Sequence, residues 1–317
     1  MSENNSLSVY ITGATQGLGL AVTRLLAARG HQVAGTAVTL DDTHRIREAG
    51  GLPVYNDPLR PSEIVSTLKM LAAEVVVNLA PQAVNVQPLQ GVDWEREQRL
   101  LVDGTAALAD ALETGAARFL VHTSFTFLYG DAGGAWVDED APLDTDDDFF
   151  LAAALAEERA LAAPGCVLRA GCVYGPESEA TAALSAALLA GRALPLGSSE
   201  NVANWVHTHD LAAAIAQAVE RQPAGAVFNV ADDHPASIAD FAAAFAASQG
   251  LSAPRRQWLP PLVGQALMHP THRAILDASA RARTDRAKAE LGWTPRYPDQ
   301  RAGIEQTLLA WRAAVVP

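Results

Sequence analysis

Thr12-Gly13-Ala14-Thr15-Gln16-Gly17-Leu18-Gly19 decides the fold, and its flanks give it meaning. Leu7, Val9 and Ile11 alternate ahead of it, as a buried strand does. Behind it, Leu18, Ala21, Val22, Leu25 and Leu26 recur at the spacing of one helix face. Gly30 stands where the helix end calls for a left-handed residue, and His31 to Val38 reads as a second strand. The order is strand, tight glycine turn, helix, strand. In such a unit the glycines let backbone N–H groups approach a pyrophosphate at the positive end of the helix. The glycine pattern alone would be weak; the surrounding strand and helices make it a dinucleotide-binding signal.

The alternation continues. Val75 to Ala80 reads as a short buried strand and Val102 to Glu113 as a helix. Phe119 to Ser124 is the next strand, Phe149 to Ala163 an alanine-rich helix, and Cys166 to Ala170 another strand. This predicts an α/β chain with a doubly wound parallel sheet and ligands at the strand C-termini. From Pro176 the pattern loosens. Residues 1–175 are expected to form the Rossmann domain, with 206–232 returning to it. Residues 176–205 and 233–317 are expected to build a smaller substrate lobe.

Composition narrows the function classes. The chain has 317 residues, 49% of them hydrophobic, so it can bury a sizeable core. A net charge of −13 argues against nucleic acid and against an anionic membrane surface. Nothing reaches the roughly 18 uninterrupted apolar residues of a membrane span. Met1 to Ser6 has neither the basic start nor the apolar run of a signal peptide, so a cytoplasmic protein is expected. Cys166 and Cys172 fall six apart on one apparent strand, roughly 20 Å, too far to bridge.

These residues together resemble the extended branch of the short-chain dehydrogenase/reductases, which includes nucleotide-sugar epimerases and dehydratases. The matching segments are Thr12 to Gly19, Asp57, Asn78-Leu79-Ala80, Val102 to Thr105, Thr123-Ser124 through Tyr129-Gly130, and Leu168-Arg169. Val173 to Pro176, Trp205 to Ala212, Phe228 to Val230 and Leu291 to Pro295 complete the set. The resemblance implies a nicotinamide cofactor held by Gly13, Gln16, Gly17, Leu18, Gly19, Asp57, Leu79, Ala80 and Thr123, a small-molecule substrate and a homodimer. The dimer would form through the helices near 103–113 and 149–163. The glycine spacing is that of shorter members of the superfamily; extended members usually place the middle glycine one residue earlier. The second strand ends Gly35-Thr36-Ala37-Val38 without an acid, and Asp41, Asp42 and Arg45 come late. With no carboxylate placed to repel a 2′-phosphate, the reading leans from NAD to NADP.

The larger departure lies in the catalytic set. In the resembled family a tyrosine exchanges a proton with the substrate while hydride moves, a lysine tunes that tyrosine and holds the ribose, and a serine orients the oxygen. Here those positions carry Phe150, Ala154 and Phe125. No tyrosine lies between Gly130 and Cys172, so the loss does not depend on alignment. Thr126 and Tyr129 flank the lost serine position and are the catalytic candidates. Two function classes stay open: an oxidoreductase, epimerase or dehydratase with relocated acid/base groups, or a non-catalytic nucleotide-binding sensor or assembly protein. His207 and His209 lack a third ligand, so no metal is expected, and Asp210 reads as a helix N-cap. Seven acids lie between Asp138 and Asp148, which would repel anionic substrates if they border the pocket. Arg281, Arg283, Arg286 and Lys288 read as a solvated helix face or a phosphate site.

Overall fold

The alternating apolar segments assemble into parallel strands with helices on both faces. The computed structural model describes residues 6–15, 17–80, 92–194, 198, 200–256 and 268–315. Strands β1 (Ser8–Thr12), β2 (Gln32–Thr36), β3 (Leu52–Val54), β4 (Val75–Asn78), β5 (Phe119–Phe125) and β7 (Gly165–Ala170) join β10 (Val227–Val230). The sheet has seven strands in the order β10-β7-β5-β4-β1-β2-β3, every pairing parallel. The order reverses at β1, so the cofactor crevice lies beyond its C-terminal end.

Helices α1 (Gly17–Ala28) and α8 (Thr208–Arg221) cover one face, packing Val22, Leu26, Ile215 and Val219 on Val9, Ile11, Val77 and Val121. On the other face, α3 (Pro61–Leu71) and α5 (Thr105–Glu113) bury Ile64, Leu68, Leu108 and Leu112 against Tyr10, Val76 and Leu120. Beside α5 lies α6 (Asp148–Ala162), whose first turn is fixed by Asp147 accepting from the Phe149 N–H at 2.9 Å. Alternate residues of one strand thus feed two separate cores, as the two-residue strand period dictates.

The second lobe has its own core. Two short strands, β8 (Cys172–Tyr174) and β9 (Trp205–His207), pair in parallel. Helices α7 (Glu179–Leu189) and α9 (Ile238–Ser248) pack there with Tyr174, Trp205, Phe241 and Phe245, and Trp205 stacks on Phe241 at 3.8 Å. α10 (Pro270–Asp277) and α11 (Gln300–Val315) complete it. Ala287, Leu291 and Trp293 pack in the main core, and the Trp293 indole N–H donates to the Asp210 carbonyl.

Some local expectations change. Cys166 and Cys172 are not on one strand, because Gly171 separates β7 from β8; both cysteines are free. His207, not Asp210, caps α8, its Nδ1 accepting from the His209 N–H. Asp210 is buried and accepts the Arg296 and Tyr297 N–H groups at 2.8 and 2.9 Å. The basic residues of 281–288 are engaged. Arg286 meets Asp140 and Glu139, Lys288 meets Asp233, Arg283 lies over Trp136, and Arg281 donates to the Gly134 carbonyl. Among the described residues no helix is long and apolar enough to cross a membrane.

Candidate functional site

The glycine turn lies between β1 and α1 as its sequence requires. Gly13 has φ +68°, the left-handed region that side chains disfavour. A Cβ on Gly19 would stand 2.2 Å from the Gly13 carbonyl oxygen, so this glycine lets α1 start directly over the turn. A Cβ on Gly17 would stand 2.5 Å from the Glu177 carbonyl oxygen. Its smallness therefore admits the backbone of the Pro176–Ser178 turn, where the sequence had suggested a phosphate. Leu18 lies in the first turn of α1, and Gln16 lies outside the described residues.

The neighbouring strand ends complete the cradle. Thr12 Oγ1 donates to Asn78 Oδ1 at 2.7 Å and is within 3.2 Å of the Leu79 N–H, which donates to it. Thr123 Oγ1 donates to the Asn78 carbonyl at 2.9 Å. Leu79, Ala80 and Thr123 thus come together with the glycine turn at one end of the sheet. Asp57 follows β3 and is ion-paired with Arg60 at 3.6 Å. The N-terminal end of this twelve-residue helix, with the glycine turn before it, fits a dinucleotide pyrophosphate.

At the end of β2 the fold supplies what the sequence lacks locally. Helix α2 (Leu40–Glu48) opens with a capping box between Thr39 and Asp42. Asp42 folds back so that Oδ2 accepts from the Val38 and Thr39 N–H groups at 3.1 and 2.8 Å. Burial alone would raise its carboxyl pKa, but these bonds, the Thr39 hydroxyl and Arg45 bring it below the ordinary value. The lean toward NADP rested on the absence of a carboxylate here. Asp42, six residues past the strand, is folded back onto the Val38 and Thr39 N–H groups.

The three positions where the resemblance places the catalytic residues carry two rings and a methyl, Phe125, Phe150 and Ala154. Phe150 is fully buried and lies 5.2 Å from Phe127; Phe125 stacks on Phe127 at 4.8 Å and 9°. Phe149 joins Phe125 at 6.0 Å and Trp94 at 5.3 Å. Ala154 offers no donor. Nothing at these positions can exchange a proton.

Tyr129 is already engaged. Its hydroxyl donates to Asn229 Oδ1 at 2.7 Å and accepts from Arg169 Nη1 at 2.9 Å. Arg169 in turn holds Glu157 with Nε and Nη2, both side chains buried, and donates to the Glu139 carbonyl. Burial pushes the Tyr129 pKa up, against the pull of Arg169. The network ties the turn after β5 to β7, β10 and α6. Thr126, the other candidate, is buried and lines a narrow cleft with Phe127, Gly130, Cys172, Ile275 and Leu276. Burial pushes the Cys172 thiol up to about 12, so it stays protonated. The acidic stretch adjoins this cleft. A Cβ on Gly130 would stand 2.7 Å from Asp144 Oδ2, and Asp147 accepts the Thr271 hydroxyl at 3.0 Å.

The model of the NAD dependent epimerase/dehydratase family matches residues 9–231. The chain belongs to that family. It is 34% identical over 314 residues to a Streptomyces 3-diazoavenalumate denitrifying reductase, covering 94% of this chain and 99% of that one. It is 27% identical to the human epimerase family protein SDR39U1, covering 95% and 99%. Among solved structures, a Silicibacter pomeroyi protein of unknown function superposes with a TM-score of 0.72 at 26% identity, covering 96% and 99%. The dTDP-glucose 4,6-dehydratase DesIV from Streptomyces venezuelae, solved with NAD and TYD bound, gives 0.79 at 19% identity, covering 96% and 97%, and supports the fold.

Within this family member the sequence reading named Asp42 but set it aside as late; Thr39-x-x-Asp42 is a capping-box spacing that signals the carboxylate folding back toward the strand end. It also missed the ring cluster, whose signal was the density of Phe at 125, 127, 149 and 150. Among the described residues no group of three or more His, Cys, Asp or Glu is placed to hold a metal ion. His207 and His209 come together, but of the two it is His209 that meets Glu177, at 3.1 Å, and Glu177 also pairs with Arg24.

Proposed function

We propose that this chain is a nicotinamide-dependent reductase whose hydride acceptor needs no proton from the protein, and that the acceptor is an arenediazonium ion. The observation that carries this reading is the loss of every proton-exchanging group at the catalytic positions, Phe125, Phe150 and Ala154, beside an intact cofactor cradle. Ketone reduction or epimerisation demands such a group. Diazonium reduction does not. A nicotinamide held by the β1–α1 turn with Leu79, Ala80 and Thr123 would supply hydride at the ring carbon, with the carbon–nitrogen bond breaking and dinitrogen leaving with the bonding pair. The full-length relative named a diazo-denitrifying reductase supports this acceptor.

The residues of this chain have other tasks. The ring cluster presents an apolar, low-dielectric wall that excludes water, which would otherwise compete for the diazonium. The acids of Asp138 to Asp148 and the net charge of −13 favour a cationic reactant. Asp42 favours NADH, because a 2′-phosphate would meet its carboxylate where it already holds two N–H groups. The exposed Val102, Leu151 and Leu155 support a homodimer.

The test uses 4-methoxybenzenediazonium and NADH deuterated at C4, as separate 4R and 4S samples. The expected product is anisole with deuterium at the carbon that bore nitrogen, formed from one sample only and well above the protein-free rate. Deuterium no higher than that background, with NADH binding intact, would overturn the reading. It would favour a nucleotide-binding protein without turnover, which the closed packing of Phe150 also fits.

A further inference from the structure

Helices α1 and α8 begin close together at the ligand end of the sheet, and one carboxylate stands between them. The two pack side by side through Val22, Leu26, Ile215 and Val219. Glu177 belongs to the turn that leads from β8 into α7. Its carbonyl oxygen lies against Gly17, the first residue of α1, 2.5 Å from where a Cβ would stand. Its side chain joins both helices. Oε1 meets Nε2 of His209, in the first turn of α8, at 3.1 Å, and Nη1 of Arg24, on α1, at 3.8 Å. Oε2 is buried and meets no donor among the described residues. Burial alone would raise the carboxyl pKa, but His209 and Arg24 bring it below the ordinary value, so the group is charged at neutral pH.

The turn that carries Glu177 is fixed at three points. Trp311 Nε1 donates to the Pro176 carbonyl at 2.8 Å, the Ser178 N–H to the Gly175 carbonyl at 3.1 Å, and Thr208 Oγ1 to the Tyr174 carbonyl at 3.0 Å. A dinucleotide diphosphate at the start of α1 therefore brings its negative charges toward one already held there. Arg24, a cation on the same helix, is shared with that carboxylate. A glutamine of the same shape would keep the contact with Gly17 and a hydrogen bond to His209. What the carboxylate adds is charge, placed where it opposes the ligand. A reductase consumes its hydride donor and must exchange the cofactor at every turnover. A reaction that returns the hydride to its own substrate can keep one cofactor in place. A weakened grip on the diphosphate suits the first.

We propose that Glu177 restrains cofactor affinity and makes the dinucleotide an exchangeable co-substrate, not a resident group. The restraint rests on the dinucleotide cradle and on net reduction, and not on which acceptor takes the hydride.

The experiment measures NADH and ADP-ribose binding by calorimetry and NADH release by stopped-flow fluorescence, for wild type, Glu177→Gln and Glu177→Asp. Wild type is expected to be purified free of nicotinamide nucleotide, assayed after acid denaturation. Glu177→Gln should bind both ligands about tenfold tighter and release NADH more slowly to match. Its affinity should also fall more steeply with added salt, because Arg24 is then released to meet the diphosphate. Adding Arg24→Gln should take back part of the gain. Glu177→Asp keeps the charge on a shorter stem and should bind within about twofold of wild type. Melting temperatures of the variants should stay near that of wild type. Unchanged or weaker binding by Glu177→Gln, the same gain in Glu177→Asp, or nucleotide retained by purified wild type would overturn the restraint. Binding of neither ligand by wild type would remove the cradle and the restraint together. Absent dediazoniation with the tenfold gain present would remove the diazonium acceptor and keep the restraint.

Discussion

The Tyr129 hydroxyl bridges Arg169 and Asn229, so Tyr129→Phe deletes two buried hydrogen bonds while keeping the ring in place. Asn229 Oδ1 then loses its donor. A stability loss of about 1–3 kcal/mol is expected in urea unfolding, with the diazonium turnover rate unchanged. Lost turnover at unchanged stability would put Tyr129 back in the chemistry. Sequence inspection singled out this tyrosine because it lies beside Phe125. It had no way to show that the hydroxyl was already spent, since Asn229 and Arg169 come from strands far along the chain. Asp42 is the converse case. Its neighbour Thr39 gave a capping-box spacing, yet only the folded turn shows the carboxylate at the end of β2. Asp42→Asn should raise NADPH affinity relative to NADH about tenfold, read by calorimetry. The variant also loses part of a helix cap, about 0.5–2 kcal/mol, so its melting temperature should fall slightly. A wild type that already prefers NADPH would refute the assignment.

Elements set which residues the local reading captured. The β1–α1 turn was legible because its geometry is local: the strand period, the glycines and the helix face all lie within one short segment. Gly19→Ala tests it, since the new methyl would meet the Gly13 carbonyl at 2.2 Å. That variant should lose NADH binding even if it folds. Helix α6 was equally legible as an element, but its role was not. The residues that close its inner face, Trp94, Phe125 and Phe127, come from other elements. The double change Phe150→Tyr with Ala154→Lys therefore restores the letters of the lost pair without its setting. A hydroxyl added to the fully buried Phe150 would enter a ring cluster with no acceptor facing it, costing about 1–3 kcal/mol. Ketone reduction by this variant should stay at background; robust carbonyl turnover would show that the site keeps more of its ancestral shape than the rings suggest. The packing of Trp293 on α8 was hidden for a similar reason, since no periodicity within 284–300 encodes that contact.

At the scale of the whole molecule, three buried groups shape the pH dependence of stability. Burial holds His122 and His207 down to about 4, with His209 adding to the effect at His207. In the unfolded chain these histidines protonate near the ordinary value of about 6.5, so as pH falls from there toward 4 the unfolded state binds protons that the fold refuses, and stability drops. Burial raises Asp232 to about 8, helped by Asp299, Asp233 and Asp210. The unfolded chain releases that proton near pH 4, so stability falls as pH rises from there to 8, by up to about 1.4 kcal/mol per pH unit. Together they place the optimum near the histidine value, and Asp232→Asn should flatten the decline between neutral pH and 8 in urea titrations. An unchanged decline would mean that Asp232 ionises normally. The association state is a separate property of the same surface. Arg159 on α6 reaches Asp110 and Glu113 on α5, locking the two helices side by side. This leaves Val102, Leu151 and Leu155 between 38% and 45% exposed on one shared face. The rim carries both signs, Arg99 with Glu95, Asp103 and Asp148, so a two-fold copy can pair opposite charges around an apolar centre. Light scattering at micromolar concentration should give the mass of a dimer. Leu151→Asp with Leu155→Asp should give a monomer that still binds NADH, because the cofactor cradle lies at the β1–α1 turn, away from this face. A monomeric wild type would refute the pairing, and a dimeric double variant would move the interface elsewhere.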